Sequence, residues 1–226
     1  MIHSAVRAPL RVLGIAGSVR RGSYNRALLE AARELAPPEM TLSIHDLSPL
    51  PLFRPETEPP PEVRAFIAAI AAADALLVAT PEYNYGVPAV LCSALEWASQ
   101  PPFASVLRGK PAAVMGASTG RGGTVRAQLQ LRQVFLYTGV RALLQPELMV
   151  DRACERFSGD GRLVDAPLRE RLGRLLAELA EWTRLLAGMG REPRAAVPAP
   201  AALFAPAHGN GAPPLREAAS VVQLQG

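Results

Sequence analysis

The sequence predicts an α/β fold, a doubly wound, five-stranded parallel sheet with strand order 2-1-3-4-5. Two observations carry this prediction. Short apolar runs alternate with helical patterns along most of the chain, the mark of parallel strands joined by crossover helices. Polar, glycine-bearing loops follow the first, third and fourth of those runs, where open α/β sheets bind their ligands.

The elements follow in order. Leu10–Ala16 reads as a buried strand, and Arg26–Ala32 carries the helical pattern after it. Thr41–Leu47 is the second strand. Pro61–Ala73 is a helix opened by a proline, which suits a first turn whose N–H groups have no partner. Ala75–Thr80 is apolar throughout, as a strand buried on both faces must be. Val87–Ser99 is helical, Pro111–Ala117 is the fourth strand, and Gly123–Tyr137 is helical again. Arg141–Val150 contains the fifth strand. Leu168–Ala187 is a long amphipathic helix, with Leu172, Leu175, Leu176, Leu179 and Leu186 at helical spacings.

These elements define one domain over residues 10–188. Residues 1–9 form an N-terminal extension without the apolar core of a signal peptide. Residues 189–226 turn to Ala, Pro and Gly without periodicity and are predicted to be disordered. Ser48–Pro60 is a proline-rich loop that either rims a pocket or only connects.

Composition narrows the class. The chain has 226 residues, 49% hydrophobic and 19% charged, which suits a globular domain with a substantial core. No apolar run is long enough to enter a bilayer. Two cysteines, Cys92 and Cys154, make neither a disulfide framework nor a metal site. They are expected as small buried residues in a reducing cytoplasm. Net charge is +4 with a pI near 9.6, but the arginines are spread among acids. That distribution argues against a nucleic-acid partner.

Gly17-Ser18-Val19-Arg20-Arg21-Gly22-Ser23-Tyr24-Asn25 is the most telling segment. A strand, a short polar loop and a helix start make an anion site, because free N–H groups and the positive end of the helix dipole face the loop. Two hydroxyls, an amide and a guanidinium complete a donor set for one phosphate. Taken singly, Ser23 or Asn25 reads equally well as a helix cap. The spacing Gly14-Ile15-Ala16-Gly17 does not match a dinucleotide fingerprint.

Two further loops face the same edge. Thr80-Pro81-Glu82-Tyr83-Asn84-Tyr85-Gly86-Val87-Pro88 is stiffened by prolines and offers amides and aromatic rings to a planar heterocycle. Gly116 to Thr124 is rich in glycine, so its backbone can approach a ligand closely. In the order 2-1-3-4-5 the three loops converge on one crevice.

Gly17-Ser18-x-Arg20-x-x-Ser23-x-Asn25, Pro81-Glu82-Tyr83-Asn84 and the glycine-rich loop through Gly123 resemble the NADPH-dependent FMN reductase family, which includes quinone, chromate and azo-dye reductases. The resemblance covers about residues 10 to 187. It implies a flavodoxin-like fold, bound FMN, NADPH or NADH as hydride donor, and a homodimer or homotetramer. It assigns Ser18, Arg20, Ser23 and Asn25, with Tyr24 beside them, to the FMN phosphate. Pro81, Glu82, Tyr83, Asn84 and Tyr85 would line the ring, and Ser118, Thr119, Gly120 and Gly123 would approach its pyrimidine side. No catalytic side chain is implied, since the flavin N5 carries the hydride. The helix after the second motif departs from the family at Leu91-Cys92-Ser93-Ala94, as does the next one at Gln128-Leu129-Gln130.

The function expected is therefore an NAD(P)H-dependent oxidoreductase that reduces a small-molecule acceptor such as a quinone in two half-reactions. A flavodoxin-like electron carrier and a phosphate-binding protein without flavin are the alternatives. Apolar residues Leu91, Leu95, Trp97, Val134 and Phe135 are expected at a subunit interface, with Arg126, Arg132 and Glu147 as polar contacts.

Overall fold

The computed structural model describes residues 8–102 and 104–189. The predicted tail, from residue 190 onward, and most of the N-terminal extension lie outside the described residues.

Five of the strands form a parallel path. β1 (Leu10–Ala16) pairs with β2 (Met40–His45) on one side and with β3 (Ala75–Ala79) on the other. β4 (Pro111–Ala117) follows β3, and β5 (Arg141–Ala142) follows β4, giving the order β2-β1-β3-β4-β5. The predicted order is the observed one. The single predicted fifth strand is instead two short pieces. β5 pairs with the start of β4, and β6 (Leu148–Val150) pairs with its end.

The helices are α1 (Tyr24–Glu34), α2 (Pro61–Ala72), α3 (Ala89–Ala98), α4 (Val125–Thr138), α5 (Ala153–Arg156) and α6 (Ala166–Gly188). The two-residue period of the strands divides the core. Val12 and Ala16 of β1 face α1 and α6, with Leu28, Leu29, Leu172, Leu176 and Leu179. Leu13 and Ile15 face the other layer, with Phe66 and Ile70 of α2, Leu91 and Leu95 of α3 and Phe135 of α4. Each fully buried aliphatic side chain of this kind stabilises by about 1.5–3 kcal/mol.

The expected interface residues Leu91, Leu95 and Trp97 on α3 and Phe135 on α4 are corrected here. Leu91, Leu95, Trp97 and Phe135 are each at most 2% exposed within the single chain. The reason is the loop after β2. Phe53 N–H donates to Ser93 Oγ at 2.7 Å, Trp97 Nε1 donates to the Pro51 carbonyl at 3.0 Å, and the Phe53 ring stands edge-on to Trp97. α3 thus lies between the sheet and its own loop, so it is apolar on two sides without a partner subunit. The expected polar contacts are also used internally: Arg132 donates to the Leu143 carbonyl and Arg126 pairs with Glu82. Of the cysteines, Cys92 is half-buried, with its thiol pushed up by burial, whereas Cys154 is exposed rather than buried.

Candidate functional site

All three expected loops leave the C-terminal ends of adjacent strands. In the first, Ser23 has the extended backbone of an N-cap, and its Oγ accepts from Arg26 N–H at 3.4 Å. That bond leaves the Ser23 hydroxyl proton free to donate. Among the described residues, the backbone N–H groups of Val19, Arg21, Gly22, Tyr24 and Asn25 have no protein acceptor. Arg20 is exposed, while Ser18 and Ser23 are buried at the loop's base. Unpaired N–H groups, two hydroxyls and a guanidinium fit a phosphate group.

The Asn25 side chain reaches across to the third loop. It is 3% exposed. Its Nδ2 donates to the Ala117 carbonyl at 2.9 Å, and its Oδ1 accepts the Ala117 N–H at 2.9 Å. The carboxamide thus pairs with the last residue of β4, as a neighbouring strand would.

In the second loop, Tyr83 and Gly86 exchange two backbone hydrogen bonds, at 3.1 and 2.9 Å. Asn84 and Tyr85 between them have φ of 50° and 65°. Positive φ at both central residues is what a type I′ turn requires. Two non-glycine residues in that region are a local strain held by their surroundings. Tyr83 is 50% and Tyr85 72% exposed, at the mouth of the site.

Glu82 turns away from the mouth. Its carboxylate accepts from the backbone N–H groups of Arg126 at 2.9 Å and Ala127 at 3.2 Å, and it pairs with the Arg126 guanidinium. Thr124, the N-cap residue of α4, has positive φ and makes no side-chain cap. Glu82 therefore supplies the cap from another loop, with its negative charge on the positive end of the helix. The same guanidinium lies 3.8 Å over the Tyr85 ring.

The third loop begins at Ser118, whose N–H donates to the Val150 carbonyl of β6. Ser118 Oγ accepts from Gly120 N–H at 3.1 Å, closing a tight turn, and Thr119 and Gly120 are exposed. Glycine is needed at two positions near this loop. A Cβ on Gly116 would sit 2.0 Å from Thr124 Oγ1, and one on Gly123, at φ +54°, would sit 2.9 Å from the Met149 Cβ.

A groove of about 600 Å³ also opens beside Ser23 and Tyr24. It is bounded by α1 and residues 154–163, not by the second and third loops. The crevice itself is tied together by side chains: Ser18 Oγ lies 3.2 Å from Tyr83 Oη, linking the first loop to the second. Among the described residues no group of His, Cys, Asp and Glu could hold a metal ion, and no helix is long and apolar enough to cross a membrane.

The fold and the crevice define a flavodoxin-like α/β protein with a loop of unpaired hydrogen-bond donors at its switch point. Residues 10–155 match the family model described as NADPH-dependent FMN reductase. An NAD(P)H-dependent FMN reductase of Pseudomonas aeruginosa is 47% identical over 182 residues, covering 79% of this chain and 98% of the relative. A 2-hydroxy-1,4-benzoquinone reductase of a Burkholderia species is 40% identical over 177 residues, covering 77% and 97%. Among solved structures, the flavoenzyme NAD(P)H:(acceptor) oxidoreductase FerB of Paracoccus denitrificans superposes with a TM-score of 0.72 at 28% identity, covering 78% of this chain and 98% of that one. The chain belongs to the NADPH-dependent FMN reductase family. It is an oxidoreductase, with FMN as cofactor and NAD(P)H as hydride donor.

Proposed function

We propose that the protein reduces quinones, with FMN seated across the three loops. Ser18, Arg20, Ser23 and the N–H groups of residues 19–25 hold the phosphate. Tyr83, Asn84 and Tyr85 border the ring, and Ser118, Thr119, Gly120 and Gly123 border its pyrimidine edge. The set of unpaired donors in the first loop is the single observation that carries this assignment. When bound there, FMN would supply the two-electron hydride chemistry between nicotinamide and acceptor. The chain's own work is to bind the phosphate, fix the ring and leave the ring face open toward Tyr83 and Tyr85. Backbone N–H groups at the pyrimidine edge would stabilise negative charge there.

The quinone reading draws support from the activities for which relatives are named, among them a 2-hydroxy-1,4-benzoquinone reductase and an NADPH:quinone oxidoreductase of Arabidopsis thaliana, 37% identical over 194 residues. Steady-state consumption of NADPH and of NADH by the FMN-loaded protein, with and without a quinone, tests it. Quinone-dependent turnover is the expected result. Flavin binding without turnover would instead make the protein an electron carrier.

The reading includes a homodimer, or a tetramer built from it, working in a reducing cytoplasm with both thiols unpaired. The exposed apolar residues of α4, Leu129 at 55%, Leu136 at 85% and Tyr137 at 71%, are the surface we assign to it. Sedimentation of wild type and Leu136→Glu tests this. A wild-type monomer at micromolar concentration removes the dimer from the proposal.

A further inference from the structure

We infer that Asn25 and Glu82, both within the motifs that mark the flavin site, are positioning residues. Their side chains hold the glycine-rich loop at its two ends and do not themselves bind the cofactor. The inference rests on the reading that FMN occupies the three-loop crevice.

The geometry is a closed triangle. Asn25, from the first loop, pairs through both ends of its carboxamide with Ala117, the residue that enters the third loop. Glu82, from the second loop, receives the N–H groups of Arg126 and Ala127, at the residues that leave it. The third side is the Ser18–Tyr83 contact between the first and second loops. The stretch between Ala117 and Arg126 is therefore fixed at entry and exit by side chains from the other two loops. Between those anchors lie Ser118 to Gly123, the backbone expected at the pyrimidine edge.

The burial and chemistry of each residue agree with this role. Asn25 is 3% exposed, and its Oδ1 and one of its Nδ2 protons are committed to the backbone of Ala117. The Glu82 side chain is 10% exposed and its carboxylate lies on a helix N-terminus and a guanidinium. A carboxylate aimed into a phosphate-binding crevice would repel the ligand, whereas here its charge is spent on α4. Fixing the loop before the ligand arrives reduces the ordering cost of binding.

Riboflavin and FMN share the ring and differ in the phosphate, so their affinities separate the two roles. Titrations of both flavins into wild type, Arg20→Ala, Asn25→Ala, Glu82→Ala and Glu82→Gln make the test. Arg20→Ala, which removes a charged phosphate donor, is expected to weaken FMN by about tenfold to a hundredfold and leave riboflavin unchanged. Asn25→Ala removes both side-chain bonds to Ala117 and adds no charge beside the phosphate. It is expected to weaken both flavins by the same factor, roughly tenfold. Glu82→Ala is expected to do the same and to shift the visible spectrum of the bound flavin. Glu82→Gln, which keeps an acceptor for the α4 N–H groups, should recover most of the loss.

Loss of FMN affinity alone in Asn25→Ala would make the Asn25 side chain a phosphate ligand and overturn its role. Unchanged affinities and spectrum in Glu82→Ala would overturn the role of Glu82. If Asn25→Ala does not fold, Asn25→Ser is titrated in its place and read the same way. A wild-type protein that bound neither flavin would overturn the flavin reading, a result distinct from any pattern among the variants.

Discussion

The phenol of Tyr83 and the hydroxyl of Ser18 lie 3.2 Å apart, so one hydrogen bond joins the loop proposed to bind phosphate to the loop proposed at the ring. Ser18 Oγ also accepts the Arg20 N–H at 3.4 Å. Either hydroxyl can donate; where Ser18 is the donor, a phosphate that enters this loop competes with Tyr83 for its proton.

This competition gives the first prediction. Tyr83→Phe removes the phenol but keeps the ring, freeing Ser18 for the phosphate. A neutral, half-buried hydrogen bond is worth about 1 kcal/mol. FMN affinity should therefore hold or rise, by up to roughly fivefold. Fluorescence titration checks it, and a tenfold loss would show that the phenol contacts the cofactor instead.

Gly116 makes a sharper prediction. It lies in β4, where an added Cβ would meet Thr124 Oγ1 at 2.0 Å and the Thr80 carbonyl at 2.3 Å. The second neighbour is backbone and cannot swing aside. Gly116→Ala should destabilise by about 3 kcal/mol or more, the upper range for an overpacked core. It should also loosen the second and third loops together. A thermal melt within two degrees of wild type, an order-of-magnitude margin well inside the expected shift, would contradict the close packing at this point.

Acid should weaken the fold through two carboxylates. Burial pushes the Asp74 carboxyl up, but the backbone N–H and guanidinium of Arg11 outweigh it and hold the group below its ordinary range. Asp165 is held low by the Leu168 N–H that it caps at the start of α6, and by Arg156. A carboxyl lowered in the folded state stabilises above its unfolded pKa of about 4, and that stability is lost as pH falls through the folded value. Melting temperature should thus drop on acidification below about pH 4. The double variant Asp74→Asn, Asp165→Asn should show a shallower drop. An identical acid limb would remove both groups from the account.

Much of this was legible in the sequence. The apolar runs at Leu10–Ala16, Ala75–Thr80 and Pro111–Ala117 become β1, β3 and β4 almost residue for residue, since strands buried on both faces must be continuously apolar. The split of the fifth strand is signalled by Pro146, which has no N–H for a ladder and interrupts the apolar run between Leu144 and Leu148. The apolar excess of α3 predicted a partner subunit, yet the loop Pro51–Phe53 covers that side. Sequence patterns report that a face is buried without reporting what buries it. Asn25 and Glu82 stand in the right motifs, but their partners lie 92 and 44 or more residues away, and spacing within a motif carries no sign of them. A polar residue beside an anion loop reads as a ligand until its acceptor is seen.

The most direct test of the central claim is an anaerobic pair of half-reactions on the purified, FMN-loaded protein. NADPH or NADH is added first, without acceptor, and a quinone is added once the donor is consumed. The account predicts loss of the visible flavin absorbance with one equivalent of donor per bound FMN, then its full return with one equivalent of quinone. The stoichiometry follows from two electrons per hydride. A flavin absorbance that the nicotinamide leaves unchanged, or that the quinone fails to restore, would contradict it.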